Sequence, residues 1–265
     1  MIEVVRAAVL VVSAWGMVAQ PPAARPNFDA FEVATIKPAD PGPQSGRYIV
    51  MQGTNRFVEK NYTLRLLIAA AYDLNPRTVS GGPAWMDSAH YDIEGVTPGN
   101  VKPSHDEQMQ MLRKLLVERF GLRFHRDAKV FQIYELVVAK DGPKMKAATE
   151  APDDPAVVGP GVVYPQRVSL PAKNATMGSF VSLLQRAIVD RPVVDKTGLT
   201  GRYDFELNWA PDESQFEGSV PAASSDAPVP GLFTAMEEQL GLKLIATRGP
   251  VDALVVDRAE RPSAN

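Results

Sequence analysis

Two patterns of hydrophobic and polar positions follow one another along this chain, and they predict strands separated by helices. Residues Phe31–Ile36 alternate apolar and polar side chains, as a half-buried strand does. Residues Asp106–Phe120 instead carry apolar side chains at helical spacing, and Gly121 is the expected left-handed stop. A shorter helix with a similar apolar face begins after Thr63, whose hydroxyl is a suitable N-cap.

The same succession of elements recurs in the second half of the chain, at offsets of 112 to 120 residues. Four pairs of segments match in the same order: Lys60–Leu64 with Lys173–Met177, His90–Glu94 with Arg202–Glu206, Phe120–Phe124 with Leu240–Leu244, and Leu136–Val138 with Leu254–Val256. Such self-similarity indicates an internal repeat. We therefore predict an α+β fold of two tandem strand–helix–strand–strand–helix–strand units, each a small mixed sheet with helices on one face.

The repeat also suggests where the units begin and end. We predict a first unit over residues 28–146, a linker over 147–161 and a second unit over 162–265. Within the second unit, residues 211–231 are rich in Pro, Ser, Ala and acidic side chains. We expect this insertion to remain disordered, because it has little apolar surface to bury.

The N-terminus has the build of a secretory signal peptide. Arg6 precedes an apolar stretch, Ala7–Ala19, which is followed by small residues and prolines. The stretch is short for a membrane span, although a retained anchor or a buried first helix are alternatives. We predict a signal peptide over residues 1–24 and a periplasmic or secreted protein, with no transmembrane segment after it.

Composition narrows the classes of function. The 265 residues carry a net charge of −3, which gives no electrostatic argument for binding nucleic acid. Cysteine is absent, which excludes thiolate catalysis and cysteine metal sites. The three histidines do not have metal-ligand spacing, and the common catalytic, phosphate-loop and dinucleotide motifs are missing. We therefore expect no metal, no cofactor and no catalytic residue.

One short motif, Asp195-Lys196-Thr197-Gly198, resembles pieces of larger catalytic signatures. It matches the core of the phosphorylated-aspartate motif of ion pumps and one motif of penicillin-recognising enzymes. The remaining parts of both signatures are missing from the sequence. We interpret the segment as a turn in which Asp195 and Thr197 bond the local backbone and both Gly198 and Gly201 take positive φ.

The most ligand-like loop lies between Gly81 and Asp87. Gly81 and Gly82 would allow close approach of a backbone, Trp85 would stack on a ring or a peptide, and Asp87 adds a charge. The second half has no equivalent loop, so the feature is unique to one unit. We predict these four residues as a ligand-binding site; the alternative is that Trp85 covers the edge of the core.

Four segments carry a family resemblance: Phe31–Pro38, Ser80–Trp85, Arg119–Arg126 and Val193–Asp204. They resemble the hallmarks of a soil-associated family of exported bacterial proteins of unknown function, abundant in Acidobacteria. A domain related to that family is fused to BlaR-type membrane metallopeptidases. The peptidase motif is absent here, so the resemblance brings no activity with it.

The second half is also similar in pattern to the short N-terminal domains of secretins and TonB-dependent receptors. The similarity covers Leu170–Thr176, Val193–Leu207 and Phe233–Val256. Those domains are βαβ pairs that dock other periplasmic proteins. This resemblance implies an unknown periplasmic or cell-surface protein, or a small ligand, as the partner.

The leading hypothesis is an exported, non-catalytic binding or protein-interaction protein. One alternative is a secreted hydrolase whose site is assembled from distant residues; two carboxylates with raised pKa values in a pocket between the units would favour it. The other alternative is a periplasmic sensor module that partners a membrane protein.

Overall fold

The structure is a computed structural model that describes residues 25–40, 42, 46–151, 157–159, 162–164, 166–218 and 220–262. Within these residues, helices and strands follow one another along the chain, and the strands form three small sheets. This confirms the predicted α+β class. The predicted signal peptide and residues 152–156 of the predicted linker lie outside the described residues. The division into units of 28–146 and 162–265 stays a prediction.

The first half contains six strands and two helices. In chain order they are β1 (Val33–Ala39), β2 (Tyr48–Gln52), β3 (Arg56–Thr63), α1 (Leu64–Ala71), β4 (Val79–Gly81), β5 (His90–Val96), α2 (His105–Arg119) and β6 (Arg123–Val138). Short 3₁₀ turns at Pro76–Thr78 and Ala84–Asp87 flank β4.

The second half repeats much of this order. Its elements are β7 (Lys146–Ala147), β8 (Val157–Val158), β9 (Val162–Tyr164), β10 (Arg167–Thr176), α3 (Met177–Leu183), β11 (Val193–Asp195), β12 (Arg202–Trp209), α4 (Leu232–Ala235) and β13 (Leu242–Arg258). A π-helical turn extends α3 over Leu184–Ile188 and another extends α4 over Met236–Leu240.

The helix ends follow from local hydrogen bonds. The Ser104 hydroxyl accepts from the Glu107 amide at the start of α2, and the Glu107 carboxylate accepts from the Ser104 amide at 2.6 Å, a capping box. Thr63 caps α1 in the predicted way, accepting from Leu66 N–H at 3.4 Å. Gly121, just beyond α2, has φ 57°, the predicted left-handed stop.

Each half has its own antiparallel sheet. The first has the order β1–β5–β3–β2, and the second has the order β7–β12–β10–β8 with β9 also paired to β10. Strands β3 and β10 each contain a bulge, at Asn61 and at Asn174, where φ is 62° and 50°. The amide of Asn61 donates to Asp92 at 3.0 Å, and that of Asn174 donates to Asp204 at 2.8 Å. These matched residues therefore shape the sheet in both halves.

The third sheet joins the halves, with the order β11–β6–β13–β4. The long strands β6 and β13 are antiparallel to each other along most of their length. Strand β4 of the first half pairs in parallel with β13 of the second, and β11 of the second half pairs in parallel with β6 of the first. Each half therefore contributes a three-residue strand that pairs with the long strand of the other half.

This exchange differs from two tandem units with separate sheets. The backbone of Val79–Gly81 forms strand β4 because it pairs with Leu254–Val256, 175 residues later in the chain. The cores are shared in the same way. Leu254 and Val256 of β13 pack in the core of the first half, and Tyr134 and Leu136 of β6 pack in the core of the second.

The start of the insertion predicted over residues 211–231 contacts the core of the second half, while its predicted disorder stays a prediction. Gln215 and Phe216 are buried there. The Trp209 indole N–H donates to the Gln215 amide oxygen at 2.6 Å, and the Phe216 ring stacks on the Trp209 ring at 6.2 Å. These two residues supply the buried indole with its hydrogen-bond acceptor and its packing partner.

Candidate functional site

The two glycines of the predicted ligand loop have structural reasons for being glycine. Both have φ 73°. A Cβ on Gly81 would lie 2.6 Å from the Val256 carbonyl oxygen, and one on Gly82 would lie 2.2 Å from Met86 Sδ. The close pairing of β4 with β13 therefore requires these glycines.

Trp85 and Asp87 lie in the same loop and already have partners. The Trp85 ring is half-buried, meets Tyr91 edge-on at 6.4 Å and carries the Arg261 guanidinium 5.4 Å from its centroid. Asp87 forms a two-nitrogen ion pair with Arg65, whose hydrogen bonds lower the pKa of Asp87. The structure brings the four predicted residues together, and their role in ligand binding stays a prediction.

The Asp195 motif is the turn that was predicted. The Asp195 carboxylate accepts from the Thr197 amide at 2.9 Å and from its hydroxyl at 2.8 Å. Gly198 has φ 68°, whereas Gly201 does not take positive φ, contrary to prediction.

A cleft of about 410 Å³ lies where the two halves meet. The turn after α1 contributes residues 75–77, the turn after α3 contributes 185–190, and the start of the insertion contributes residues between 213 and 218. A second hollow of about 310 Å³ shares Arg77 and Asp190 with it and reaches Phe131 and Gln132 of β6. We call these two hollows, which adjoin at Arg77 and Asp190, the groove.

Beside this cleft, Asp73 connects the halves. Its backbone has φ 53°, and its carboxylate accepts from the Ser182 hydroxyl and lies 3.3 Å from His105 Nε2. The side-chain amide of Gln185 donates to the backbone carbonyl of Asp73 at 2.6 Å. Burial raises the pKa of Asp73, but the hydrogen bonds of His105 and Ser182, helped by Arg186, outweigh it and hold that pKa below its ordinary value.

Ser182, Asp73 and His105 are the residue types of a hydrolase triad in the wrong order. In a triad the histidine contacts the serine hydroxyl and the carboxylate contacts the far side of the ring. Here the Asp73 carboxylate lies between the other two, and the serine donates to it. The contact therefore orders the junction and does not place His105 where it would deprotonate Ser182.

Arg186 lines the cleft, and 17% of its side-chain surface is exposed. Its Nε has no hydrogen-bond partner among the described residues and lies 3.9 Å from the Asp73 carboxylate. Burial lowers the pKa of Arg186, and Tyr62 and Asp73 oppose the shift. A buried guanidinium without hydrogen-bonded carboxylates costs stability, so this arrangement calls for a reason beyond folding.

A second cationic group lies at the other end of the cleft. The same oxygen of Asp190 is 3.3 Å from Arg77 Nη1 and 3.5 Å from Arg191 Nε. The Tyr134 hydroxyl donates to the other oxygen at 3.3 Å. Two guanidinium groups share one carboxylate, which leaves one positive charge in excess.

Glu59 is a buried acid next to the junction. It is 0% exposed, and neither carboxyl oxygen has a hydrogen-bond partner among the described residues. Burial, and then the charge of Asp92, raise its pKa to about 9. The Tyr62 amide, Lys60 and Arg47 act in the opposite direction; the Tyr62 amide is near enough to favour the ionised form without reaching hydrogen-bond geometry.

Sequence reasoning missed both Glu59 and Arg186. The matched segments align Glu59 with Ala172 and Tyr62 with Ala175, and both alanines are buried. Comparing the two halves would have found Glu59, because a charged residue in one half is matched there with an alanine in the other. Arg186 had no such signal, because its environment is created by the packing of two turns.

The matched family model covers residues 65–259, and its description is "Protein of unknown function (DUF3738)". The chain belongs to the DUF3738 family. No curated protein and no solved structure matches it. The family extent includes both turns that build the cleft, so the junction lies wholly inside the DUF3738 domain.

Among the described residues, no group of three or more histidine, aspartate or glutamate side chains is placed to hold a metal ion. None of the described helices is long and apolar enough to span a membrane.

Proposed function

We propose that this DUF3738 protein is an exported, non-catalytic binding protein whose ligand carries a carboxylate and occupies the cleft between its halves. The observation that carries the proposal is Arg186, which lines the cleft and whose buried Nε has no hydrogen-bond partner among the described residues. A guanidinium presents a planar fork of donors that matches a carboxylate. A ligand carboxylate in the cleft would pair with the charge of this guanidinium, which Asp73 approaches only to 3.9 Å from the buried Nε.

The position of the cleft supports binding at this site. Its walls come from both halves, so a ligand would contact both at once. The cleft has the size of an ordinary small-ligand pocket. Two of the three acidic residues of the wall are already paired, Asp190 with Arg77 and Arg191, and Glu217 with Arg47; Glu213 has no ion pair among the described residues.

The hydrolase alternative has less support. It needs two carboxyl groups flanking a bound substrate, at least one of them with a raised pKa. Glu59 has the raised pKa but is not among the residues that line the cleft. Ser182 donates to Asp73, whose lowered pKa makes it a weak base, and no histidine contacts the hydroxyl among the described residues.

Export is proposed from the apolar N-terminal stretch alone, and N-terminal sequencing of protein from the periplasmic fraction of an expressing bacterium tests it. A mature N-terminus after Ala19 or Ala24 is the expected result. A cytoplasmic chain that retains Met1 would contradict export. The sensor alternative predicts instead that the protein is recovered with a membrane protein after cross-linking.

The binding proposal is tested by thermal shift and calorimetry with a mixture of small carboxylates, including sugar acids and acetylated dipeptides. We expect the mixture to stabilise the wild type and to have much less effect on Arg186→Gln. Arg186→Lys, which keeps the charge without the fork, should be intermediate. The control is Arg56→Gln, which removes an exposed arginine paired with Glu94. An equal response of wild type and Arg186→Gln would overturn the proposal.

A further inference from the structure

Strand β6 has one long edge that the described residues leave unpaired. On one side it pairs with β13 from Phe124 to Val138. On the other side, within the part of the chain that the structure describes, its ladder partner is β11, which covers Tyr134–Leu136. The stretch 124–132 therefore has one edge with no strand beside it.

The direction of the backbone groups along that edge follows from one hydrogen bond. The Tyr134 amide donates to the Pro192 carbonyl at 2.8 Å, so residue 134 faces the β11 side. The β6–β13 register runs without a shift from residue 138 to residue 124. Because backbone groups alternate in a strand, Gln132, Val130 and Ala128 also direct their N–H and C=O groups to the open edge.

The opposite edge of the same ribbon is protected, and this edge is not. Pro250 of β13 is opposite Val130 in the register, so its missing N–H falls on the outer edge of β13. Proline on an edge strand prevents further strand pairing. Strand β6 contains no proline, and Val130 on its open edge is 63% exposed. One edge of the ribbon thus remains competent to pair.

The open edge ends at a cationic hollow. Phe131 and Gln132 line the smaller part of the groove together with Arg77 and Arg191. These two arginines share the Asp190 carboxylate and leave one positive charge in excess. A strand lying on the edge in line with β11, and parallel to β6 as β11 is, would end with its C-terminus at this hollow.

We infer that the protein binds an extended peptide by strand addition to the open edge of β6, with the free C-terminal carboxylate of the peptide held by Arg77 and Arg191. The inference rests on the proposed function, extends it from the cleft at Arg186 to the adjoining hollow at Arg77 and Arg191, and names peptides as a ligand class. Main-chain hydrogen bonds to Val130 and Gln132 supply affinity that depends little on sequence. The terminal carboxylate fixes the register of the bound strand.

The experiment measures retention of a randomised pool of octapeptides on the immobilised protein, by mass spectrometry. One pool has free C-terminal carboxylates, and the other is amidated at that end. We expect the wild type to retain the first pool about tenfold more than the second, because charge-assisted hydrogen bonds are lost on amidation. Arg77→Gln should remove this preference.

Proline variants test the edge itself. Val130→Pro removes an edge donor without breaking the β6–β13 ladder, and we expect it to abolish retention; Ala128→Pro should do the same and serves if Val130→Pro does not fold. The matched control is Ala246→Pro, which places proline on the outer edge of β13 and should retain peptides like the wild type.

Three results would overturn the inference: no retention by the wild type, equal retention of both pools, or full retention by folded Val130→Pro. A dimer in sedimentation that Val130→Pro abolishes would also overturn it, since the edge would then belong to a second copy of the chain. None of these results contradicts the proposed function if small carboxylates still stabilise the wild type and do not stabilise Arg186→Gln.

Discussion

Replacing Glu59 with glutamine should make the protein more stable at neutral pH, although the replaced side chain is fully buried. The wild-type carboxyl has a pKa of about 9 in the folded protein, against 4.5 for the ordinary group. Between these values the folded protein keeps a proton that the unfolded chain has lost. The contribution of Glu59 to the free energy of unfolding is therefore greatest below pH 4.5 and decreases as pH rises towards 9.

The magnitude follows from that interval. At pH 7 the interval above 4.5 is about 2.5 pH units, and each unit corresponds to about 1.4 kcal/mol, so keeping Glu59 protonated costs about 3 kcal/mol. Glutamine has nearly the same shape and carries no charge, so Glu59→Gln avoids this cost. The alanine at the matched position, Ala172, indicates that the strand does not need a carboxyl there.

The assay is urea unfolding of both proteins at pH 5, 6, 7 and 8, followed by circular dichroism. The free energy of unfolding of Glu59→Gln minus that of the wild type should increase by about 1.4 kcal/mol per pH unit. The control is Glu94→Gln: a hydrogen bond from Arg56 lowers the pKa of Glu94, so its difference should stay constant over this range. If the free energies of unfolding of Glu59→Gln and of the wild type changed equally with pH, Glu59 would not be protonated in the folded protein at neutral pH.

Three further variants test the junction and its supports. Asp73→Asn should lower the free energy of unfolding by about 1 kcal/mol at pH 7, and the difference should decrease in acid, because the stabilisation by Asp73 is present above pH 3.8 and is lost as pH falls through its lowered pKa; a difference that does not decrease as pH falls below 3.8 would contradict this. Gly82→Ala should destabilise by about 2 kcal/mol or more in thermal unfolding, since φ is 73° and Met86 is in the way, whereas Gly178→Ala in α3 should be neutral or stabilising; equal effects would count against the close contact. Gln215→Ala should cost about 1–3 kcal/mol in urea unfolding by leaving the Trp209 N–H buried without an acceptor; an unchanged midpoint would show that the insertion does not pack there.

Local patterns predicted the elements well where neighbouring residues decide the structure. The cap at Thr63 and the stop at Gly121 depend on backbone groups within a few residues, and both are present as predicted. The strands β4 and β11 depend on partners in the other half. Each has three residues, which is too short for the alternation of apolar and polar side chains to predict a strand. The exchange of strands was therefore beyond the reach of the local pattern.

The candidate site illustrates the same limit. Gly81 to Asp87 attracted attention because glycines and a tryptophan are conspicuous in a sequence, yet their contacts are internal. Arg186 is one of many arginines in the sequence and becomes distinctive when the turn carrying Asp73 packs against α3. Sequence patterns describe the faces of elements, whereas an unpartnered buried charge arises from the meeting of two distant segments.

The most direct test of ligand binding at the junction is the ¹H–¹⁵N resonance of Arg186 Nε, assigned by its disappearance in Arg186→Gln. Acetylated dipeptides with free carboxylates are added as a mixture, and the same mixture amidated at the C-terminus is the comparison. We expect the carboxylate mixture to shift this resonance with saturation and the amidated mixture to leave it in place. A resonance that stays in place with both mixtures, or moves equally with both, would contradict this expectation.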